Sequence, residues 1–486
     1  MNNRNYYIKE GYTINSNPEY FVDIANTLTY QPDVYELALF LAQRSKSKYI
    51  VDIGGGNGDK LKKFRDFKII AVDYGDNIEL LKKQSHIYEV IEHDLENGFP
   101  SIPLEIISNA VVIFSDVVEH LLNPHLVLEG LSKISFECDF LIISTPDRTK
   151  ARGVGDNGPP RNTAHVREWN IEEFDTLLKA YKFNDFLIGH TVNTNVHLWK
   201  NTIISISGKF AYCKDVDKVK VLAILNVFNE EDIISETINH LLRQELDVKV
   251  IDNWSTDSTY EILKKISDSD ERVTVERYPE KSGMYYEWES LLKNTEKLSI
   301  SLNYDWYVHY DADEIRESPW RGFNLCQAIS FVDYCGFNAI DFTVLDFRPI
   351  NNDTDSNYEE NLKFFEFGKR NGHFKQIKCW KKTDVVNLSA TGGHEAQFTN
   401  SRVFPIKFLT KHYPLRNTHQ ARKKIFTERI NRISPNEKKM GWHTHYNHHE
   451  LGESFIWEIE NLLPWNPNVF ESEYLVERIS GIGIRR

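Results

Sequence analysis

Short, nearly continuous apolar runs recur along the first 210 residues, each followed by a stretch with apolar positions at helical spacing. The pattern predicts a helix over Gln31–Ser45 (QPDVYELALFLAQRS), with proline at its start. Strands are predicted at Tyr49–Ile53, Lys68–Val72 (KIIAV), Val111–Phe114 (VVIF) and Phe140–Ser144 (FLIIS). Strands that are apolar throughout and alternate with helices imply a parallel sheet covered on both faces. Trp169–Phe183 reads as an amphipathic helix, ahead of a last β-rich stretch through Gly208.

Lys209–Lys218 (KFAYCKDVDK) is a polar connector, and after it the pattern restarts. Strand Val219–Asn226, helix Glu231–Gln244, strand Val248–Ile251 and helix Ser258–Ile266 predict a second α/β unit with its own first strand. Beyond Pro349 the pattern is mixed, with strands expected near Phe374–Trp380 and Val403–Leu409 and helices at Thr418–Ile433 and Glu453–Leu463. The expected domains are residues 1–210, residues 218–450 and a helical extension over 451–486.

At 486 residues the chain is too long for one ordinary core. Its 41% hydrophobic and 13% aromatic content excludes wholesale disorder. A net charge of −13 argues against a nucleic-acid or anionic-membrane binder, and no apolar run approaches the roughly 20 residues of a membrane span. The start, MNNRNYYIKEGYT, lacks the apolar region of a secretory signal. Cys138, Cys213, Cys326, Cys335 and Cys379 are scattered and odd in number, which points to a reduced compartment rather than to a thiolate zinc site. The expected location is the cytoplasm, at the periphery of membrane-linked glycan assembly.

Val51–Gly58 reads VDIGGGNG, a strand running into a glycine turn. Gly54, Gly56 and Gly58 let the backbone turn sharply and approach a ligand closely, and Asp73, ending the next strand, is placed to accept hydrogen bonds from ribose hydroxyls. Dinucleotide-binding and S-adenosylmethionine-binding folds share both features. The GxGxxG fingerprint of the former asks for a third glycine where this chain has Asp59. Further on stand EHDL (Glu92–Leu95), FSDVVEHLLNP (Phe114–Pro124), STPDR from Ser144 and HVREW (His165–Trp169). As a set these resemble the class I S-adenosylmethionine-dependent methyltransferases, which have a Rossmann-like α/β fold. The resemblance implies that Asp52 and Gly54–Gly58 line the methionine end of the cofactor, Asp73 the ribose, and Asp94 and Leu95 the adenine. It places Asp116 and His120 near the methyl group, with His120 or His165 as candidate base for an oxygen acceptor. The alternative for His120 is a packed histidine capping a helix.

Three further segments stand in order: VLAILNVFNEE (Val221–Glu231), VKVIDNWSTDST (Val248–Thr259) and WYVHYDADE (Trp306–Glu314). A nucleotide-sugar diphosphate needs neutralising, and two aspartates at a strand end suit a divalent cation. Asp313 would ligate the metal and Asp311 would face the ribose or a metal-bound water. The three segments resemble the family 2 glycosyltransferases, which have the GT-A nucleotide-diphospho-sugar fold. That resemblance implies Asn229 and Glu230 at the nucleotide and Asp252 at the base. Asp257 is read as holding its loop by capping a helix. TGGHE (Thr391–Glu395) and KHYPLR (Lys411–Arg416) look like downstream segments of some of these enzymes. By that likeness His394 or His412 completes the metal site, and Glu395 deprotonates the acceptor if the reaction inverts. Lys411 and Arg416 read as solvated cations, with diphosphate binding as the alternative. The histidine-rich GWHTHYNHHE (Gly441–Glu450) matches no metal-ligand spacing. Tyr285, Tyr286 and Trp288 are either core residues or a stacking surface for acceptor sugars.

Taken together, the expectation is a bifunctional enzyme. It would use S-adenosylmethionine and, with Mn2+ or Mg2+, a UDP- or GDP-sugar, and would act on a glycan acceptor in surface polysaccharide synthesis. One alternative keeps only the glycosyltransferase active and makes the first domain a binding or scaffolding module. Another makes the first domain an NAD-linked sugar oxidoreductase or epimerase, against which stands the absence of a Tyr-x-x-x-Lys pair.

Overall fold

The computed structural model describes residues 5–23, 29–183, 187–196, 199–283, 285–351, 358, 362–367, 375–430, 432–439, 450 and 452–465. The chain divides into two compact units, with the break between Tyr212 and Cys213.

In the first unit the strands are β1 (Tyr49–Ile53), β2 (Lys68–Asp73), β3 (Glu89–Glu92), β4 (Ala110–Ser115), β5 (Phe140–Pro146), β6 (Leu187–Val192) and β7 (Lys200–Ser207). Among the described residues they form one sheet in the order β3-β2-β1-β4-β5-β7-β6. The first five are parallel, and β7 joins antiparallel to β5. Strand order reverses between β1 and β4, and the crevice outside the carboxyl ends of strands at such a switch is where open α/β sheets take ligands. Register brings the ends together: Asp52 pairs with Ala71 and Ile113, and Asp73 with Glu92.

Helix Pro32–Ser45 buries Val34, Leu37, Ala38 and Leu41, the i, i+3, i+4, i+7 stripe that its sequence displays. Helix Ile171–Ala180 is shorter than the predicted Trp169–Phe183. It is fixed at its start by a capping box, in which Asn170 accepts the Glu173 N–H and the Glu173 side chain accepts the Asn170 N–H. The core lies under this sheet face, with Val51, Ile53, Val72, Val112, Phe114, Leu128, Leu131 and Trp169 buried together.

The second unit has β8 (Val221–Val227), β9 (Asp247–Asp252), β10 (Val273–Arg277), β11 (Trp306–Asp311), β12 (Glu314–Glu317), β13 (Ala339–Phe347), β14 (Phe364–Phe367), β15 (Ile377–Lys381), β16 (Phe408–His412) and β17 (Leu463–Pro464). The main path runs β10-β9-β8-β11-β15-β13-β14-β17, parallel as far as β11 and antiparallel from there. Its switch point falls between β8 and β11, where Asn226 and Asp311 pair. Strand β16 runs parallel to β13 and antiparallel to β12, so that His412 is registered against both Glu314 and Asp346. That arrangement carries His412 to the aspartates at the end of β11.

Several expected elements differ. The strand expected over Val403–Leu409 is Phe408–His412, because Pro405 has no N–H to give a ladder. The helix expected over Thr418–Ile433 is α-helical only through Arg422, and continues as a π-helix over Lys423–Arg429, where the Ile430 N–H reaches back to Ile425 O at 3.1 Å. The helix expected over Glu453–Leu463, part of the C-terminal helical extension, is instead irregular chain with a 3-10 turn at Ile459–Asn461. Chain Leu463–Pro464 pairs with β14 there, and that backbone pairing competes with helix. Among the described residues no helix is long and apolar enough to cross a membrane.

Candidate active sites

In the first unit, Gly54 and Gly56 have φ of 85° and 55°, the left-handed region that favours glycine. A Cβ on Gly54 would lie 2.3 Å from Val117 Cγ2, and one on Gly56 would lie 2.4 Å from Asp23 Oδ2. The turn is thus bare backbone with carboxylates converging on it. Asp73 Oδ2 accepts the Gly56 N–H at 2.8 Å, and Asp23 Oδ2 accepts the Asn57 N–H at 3.1 Å. Asp73 Oδ1 also accepts from the Tyr74 N–H at 2.8 Å and from Asn77 Nδ2 at 3.2 Å, so Asp73 braces the turn as well as facing its mouth. Asp52 is buried at the end of β1 and accepts from the Tyr35 hydroxyl at 3.2 Å. Burial pushes its carboxyl up to about 7, with Lys60 and Tyr35 pulling the other way. Asp94 is spent on its own turn, accepting the Glu96 N–H at 3.0 Å, and Leu95 behind it is buried.

After β4, Asp116 has a φ of 52° and is held by Ser144, which donates to its Oδ1 at 2.8 Å, and by Gln31 Nε2, which donates to its Oδ2. Burial raises its carboxyl. Glu119 is fully buried, and its Oε2 accepts from Thr145 Oγ1 at 3.0 Å. Burial and then the charge of Asp116 hold Glu119 well above the usual carboxylate range. His120 Nδ1 donates to Ala164 O at 3.0 Å, and burial lowers the ring to about 3, so it is neutral. The His165 ring stands edge-on to it with centroids 4.6 Å apart.

In the second unit, each aspartate of YDADE is paired with a lysine. Lys378 Nζ lies 2.7 Å from Asp311 Oδ2 and 3.0 Å from Glu314 Oε1. Lys424 Nζ lies 2.7 Å from Asp313 Oδ2 and 3.2 Å from Glu230 Oε1. His412 Nε2 is 3.8 Å from Asp313 Oδ1, while its Nδ1 donates to Asp346 Oδ1 at 2.7 Å. Burial alone would raise Asp313, yet the charges of Lys424, His412 and Arg416 bring it down to about 2. Burial would lower His412, and its bond to Asp346 and the charge of Asp313 raise it instead. His394 Nδ1 accepts from Gln376 Nε2 at 3.0 Å, and Glu395 pairs with Lys375.

Arg416 is buried rather than solvated. Its Nη2 lies 2.9 Å from Glu230 Oε2 and 2.7 Å from Asp232 Oδ1. Lys411 is also largely buried and pairs with Glu317 at 2.7 Å. The reason is shared: β16 is interior, and cations on or just after it are tolerated only against carboxylates. Asn229, with φ of 53°, ties the loops together by accepting the Thr256 N–H at 2.8 Å and donating to Glu428 Oε1 at 2.8 Å. Asp252 is buried, accepts the Ser255 N–H at 3.2 Å and pairs with Arg277 at 3.2 Å. The Arg277 guanidinium lies over the Tyr260 ring at 3.8 Å and the Trp254 ring at 4.8 Å. Asp257 accepts the Thr259 N–H at 3.0 Å, at the start of helix Thr259–Ser269.

Comparison with known proteins decides between the readings of these two crevices. A family model described as "Methyltransferase domain" matches residues 30–186, and one described as "Glycosyl transferase family 2" matches residues 223–296. The first unit carries a methyltransferase domain, and the second a family 2 glycosyltransferase domain. The folds are accordingly a Rossmann-like methyltransferase fold and a GT-A-like fold. Among solved structures the chain is similar to the methyltransferase domain of bacterial CtHen1, at 15% identity over 37% of this chain and 100% of that one, with a TM-score of 0.28. A SAM-dependent methyltransferase from Archaeoglobus fulgidus gives 16% identity over 36% of this chain and 91% of that one, with a TM-score of 0.27. The mannosyltransferase PcManGT from Pyrobaculum calidifontis, solved with GDP-Man and Mn2+, gives 20% identity over 27% of this chain and 38% of that one, with a TM-score of 0.22. A search of curated proteins gave no match.

In the methyltransferase domain, Asp52, Gly54, Gly56, Gly58, Asp73 and Asp116 gather at the β1/β4 switch, with Asp23 added from the N-terminal segment, where no motif announces it. In the glycosyltransferase domain, Asp311, Asp313, Glu230 and His412 gather around Lys378 and Lys424, two lysines that no spacing rule singles out. Tyr286 is buried and stacks on Trp288 with centroids 5.8 Å apart. Of the histidine-rich segment, residues 441–449 lie outside the described residues.

Proposed function

We propose that the chain is a bifunctional enzyme of surface polysaccharide synthesis, which transfers a sugar from a UDP- or GDP-sugar to a glycan and methylates a glycan with S-adenosylmethionine. The observation that carries this reading is positional. In each unit the chemistry-bearing side chains stand at the carboxyl ends of parallel strands, at the switch point of the sheet.

In the methyltransferase domain the turn at Gly54–Gly58 fits the methionine end, since a Cβ on Gly54 or Gly56 would run into Val117 or Asp23 and only bare backbone can stand there. Asp73 takes the ribose, and Asp94 and Leu95 flank the adenine. The sulfonium cofactor supplies an electrophilic methyl group. Methyl transfer is an in-line displacement, so alignment by the turn and by Asp116 supplies much of the acceleration. His120, neutral and with Nδ1 spent on Ala164 O, presents its Nε2 lone pair at the methyl end.

In the glycosyltransferase domain, Asn229 and Glu230 border the nucleotide, Asp252 with Arg277 the base, and Asp311 the ribose. Asp313 Oδ1 and His412 Nε2 are a carboxylate–imidazole pair suited to a divalent cation, with His394 as further donor. Such a cation supplies positive charge to the diphosphate. Glu395 takes the acceptor hydroxyl proton if the anomeric centre inverts. The ion pair of Lys424 with Asp313 favours a second reading, in which the lysine ammonium itself neutralises the diphosphate.

The test is a thermal-shift panel of UDP- and GDP-sugars on the full chain, with and without Mn2+, followed by donor hydrolysis and by transfer of labelled methyl to a glycan acceptor. Ligand binding raises apparent stability by mass action. A chain that gains stability from no nucleotide sugar and binds no S-adenosylmethionine defeats the proposal.

A further inference from the structure

We infer that Arg277 reads the base of the sugar donor in the glycosyltransferase domain, and that this base is guanine. The assignment rests on the glycosyltransferase reading above, which puts Asp252 and Arg277 at the nucleotide. These two residues close the adjacent parallel strands β9 and β10 and stand opposite each other in register. The Asp252 side chain is 0% exposed, and its two oxygens face the Ser255 N–H at 3.2 and 3.3 Å. Its Oδ2 also accepts from Arg277 Nε at 3.2 Å. A carboxylate enclosed in this way does not touch a ligand, so Asp252 is a positioning residue that acts on the base through Arg277.

Arg277 is the member of the pair that a ligand can reach, with its side chain 31% exposed. Its guanidinium lies over the Tyr260 ring at 3.8 Å and the Trp254 ring at 4.8 Å, and Trp254 is itself pinned by donating Nε1–H to Pro279 O at 2.8 Å. Two rings and the Nε bond to Asp252 fix the plane of the fork before a ligand arrives. Nη1 and Nη2 have no hydrogen-bond partner among the described residues. That edge is a pair of parallel donors, and it suits a base edge with two adjacent acceptors. Guanine has one, O6 beside N7, the bidentate partner of arginine in nucleic-acid recognition. Adenine sets its N6 amino donor beside N7, which opposes one N–H of the fork to another. Uracil offers O4 alone, between N3–H and an apolar C5–H. Cytosine has N3 beside O2, but O2 adjoins the glycosidic bond, where the ribose crowds the fork.

The experiment is calorimetry on the full chain with GDP, IDP, 7-deaza-GDP, UDP and CDP, each in the presence of Mn2+. IDP lacks the guanine amino group but keeps O6 and N7, whereas 7-deaza-GDP keeps the amino group and lacks N7. GDP and IDP should bind equally, and 7-deaza-GDP, UDP and CDP more weakly by about tenfold. Arg277→Lys keeps a cation beside Asp252 without the fork. It should cost GDP about tenfold and abolish the difference between GDP and 7-deaza-GDP. Asp252→Asn gives up the charge that orients Arg277 and should narrow the GDP-to-UDP ratio, which a purely structural role would not move; an unchanged ratio removes Asp252 from the positioning role. The guanine assignment is overturned if UDP or CDP binds as tightly as GDP, or if 7-deaza-GDP matches GDP in the unaltered chain. It is also overturned if IDP binds tenfold more weakly than GDP, since a carboxylate would then be reading the amino edge. A chain that binds none of the five defeats the glycosyltransferase reading itself, whereas one that prefers UDP leaves that reading standing and removes only the role given to Arg277.

Discussion

Lys424 Nζ stands 2.7 Å from Asp313 Oδ2, so one oxygen of that carboxylate is already committed to an ammonium while Oδ1 faces His412 Nε2 at 3.8 Å. The two readings of the glycosyltransferase domain divide on this pair. If a divalent cation neutralises the diphosphate, Lys424→Met frees Asp313 and lowers the Mn2+ concentration giving half-maximal donor hydrolysis. If the lysine does so, Lys424→Met abolishes hydrolysis, and chelators leave the unaltered chain active. Asp313→Ala is expected to abolish metal-stimulated hydrolysis; retention of activity with and without Mn2+ would remove Asp313 from the mechanism.

Arg416 bridges Glu230 and Asp232 with its guanidinium buried. Truncating one member of a buried ion pair leaves uncompensated charge and costs about 3–5 kcal/mol. Arg416→Ala should therefore lower the urea midpoint of the glycosyltransferase unit. The methyltransferase unit should be unaffected, as followed by calorimetry with S-adenosylmethionine. An Arg416→Ala chain with an unchanged midpoint would show that the ion pairs contribute nothing net.

Gly54 carries two separable constraints, a φ of 85° and a Cβ position 2.3 Å from Val117 Cγ2. Gly54→Ala should weaken S-adenosylmethionine binding at least about tenfold, since left-handed backbone costs an L-residue about 1–2 kcal/mol before any clash. Adding Val117→Ala relieves the clash and should recover part of the affinity. Full recovery would mean that the backbone conformation is not the constraint.

Asp52 predicts a pH dependence whose sign is fixed by the direction of its shift. The folded carboxyl titrates at about 7, above the unfolded value of 3.8, so between those values the folded state binds more protons than the unfolded one. Its contribution is therefore a penalty that is absent below pH 3.8, grows as pH rises and is complete above about pH 7. Asp52→Asn should leave stability nearly unchanged at pH 4 and raise it, relative to the unaltered chain, by pH 8. Parallel Tm profiles for the two proteins would refute the shift.

The inner parallel strands of both sheets were legible because they are buried on both faces, and an apolar run such as KIIAV or VVIF has little else to become, whereas the half-exposed edge strands β3 and β10 carry no such run. The glycine turn was legible for a related reason: positive φ restricts the choice of residue, so conformation is written in composition. The partners of the acids were not legible. Asp23 reaches the turn from a segment with no pattern of its own, and Lys424 reaches Asp313 across 111 residues of chain. Burial of a cation depends on which carboxylates the fold brings to it, so nothing in the sequence around Arg416 marks it as buried. The stretch Glu453–Leu463 has a helical pattern locally, and the β14 strand that its end pairs with lies far back in the chain.

The π-helix at Lys423–Arg429 holds Lys424 where it pairs with Asp313 and Glu230. Such a turn accommodates an additional residue without breaking the helix on either side. Among the described residues helix Thr418–Arg422 leads into the π-turn and no helix directly follows it, so deleting Lys423, upstream of Lys424, would move Lys424 up by one position and turn its side chain by about 100° relative to that helix. The helix would survive such a deletion while the ammonium left the carboxylates. Chain length in this single turn is therefore a control on active-site charge, one that a shortened variant would change with the secondary structure and every catalytic side chain still present.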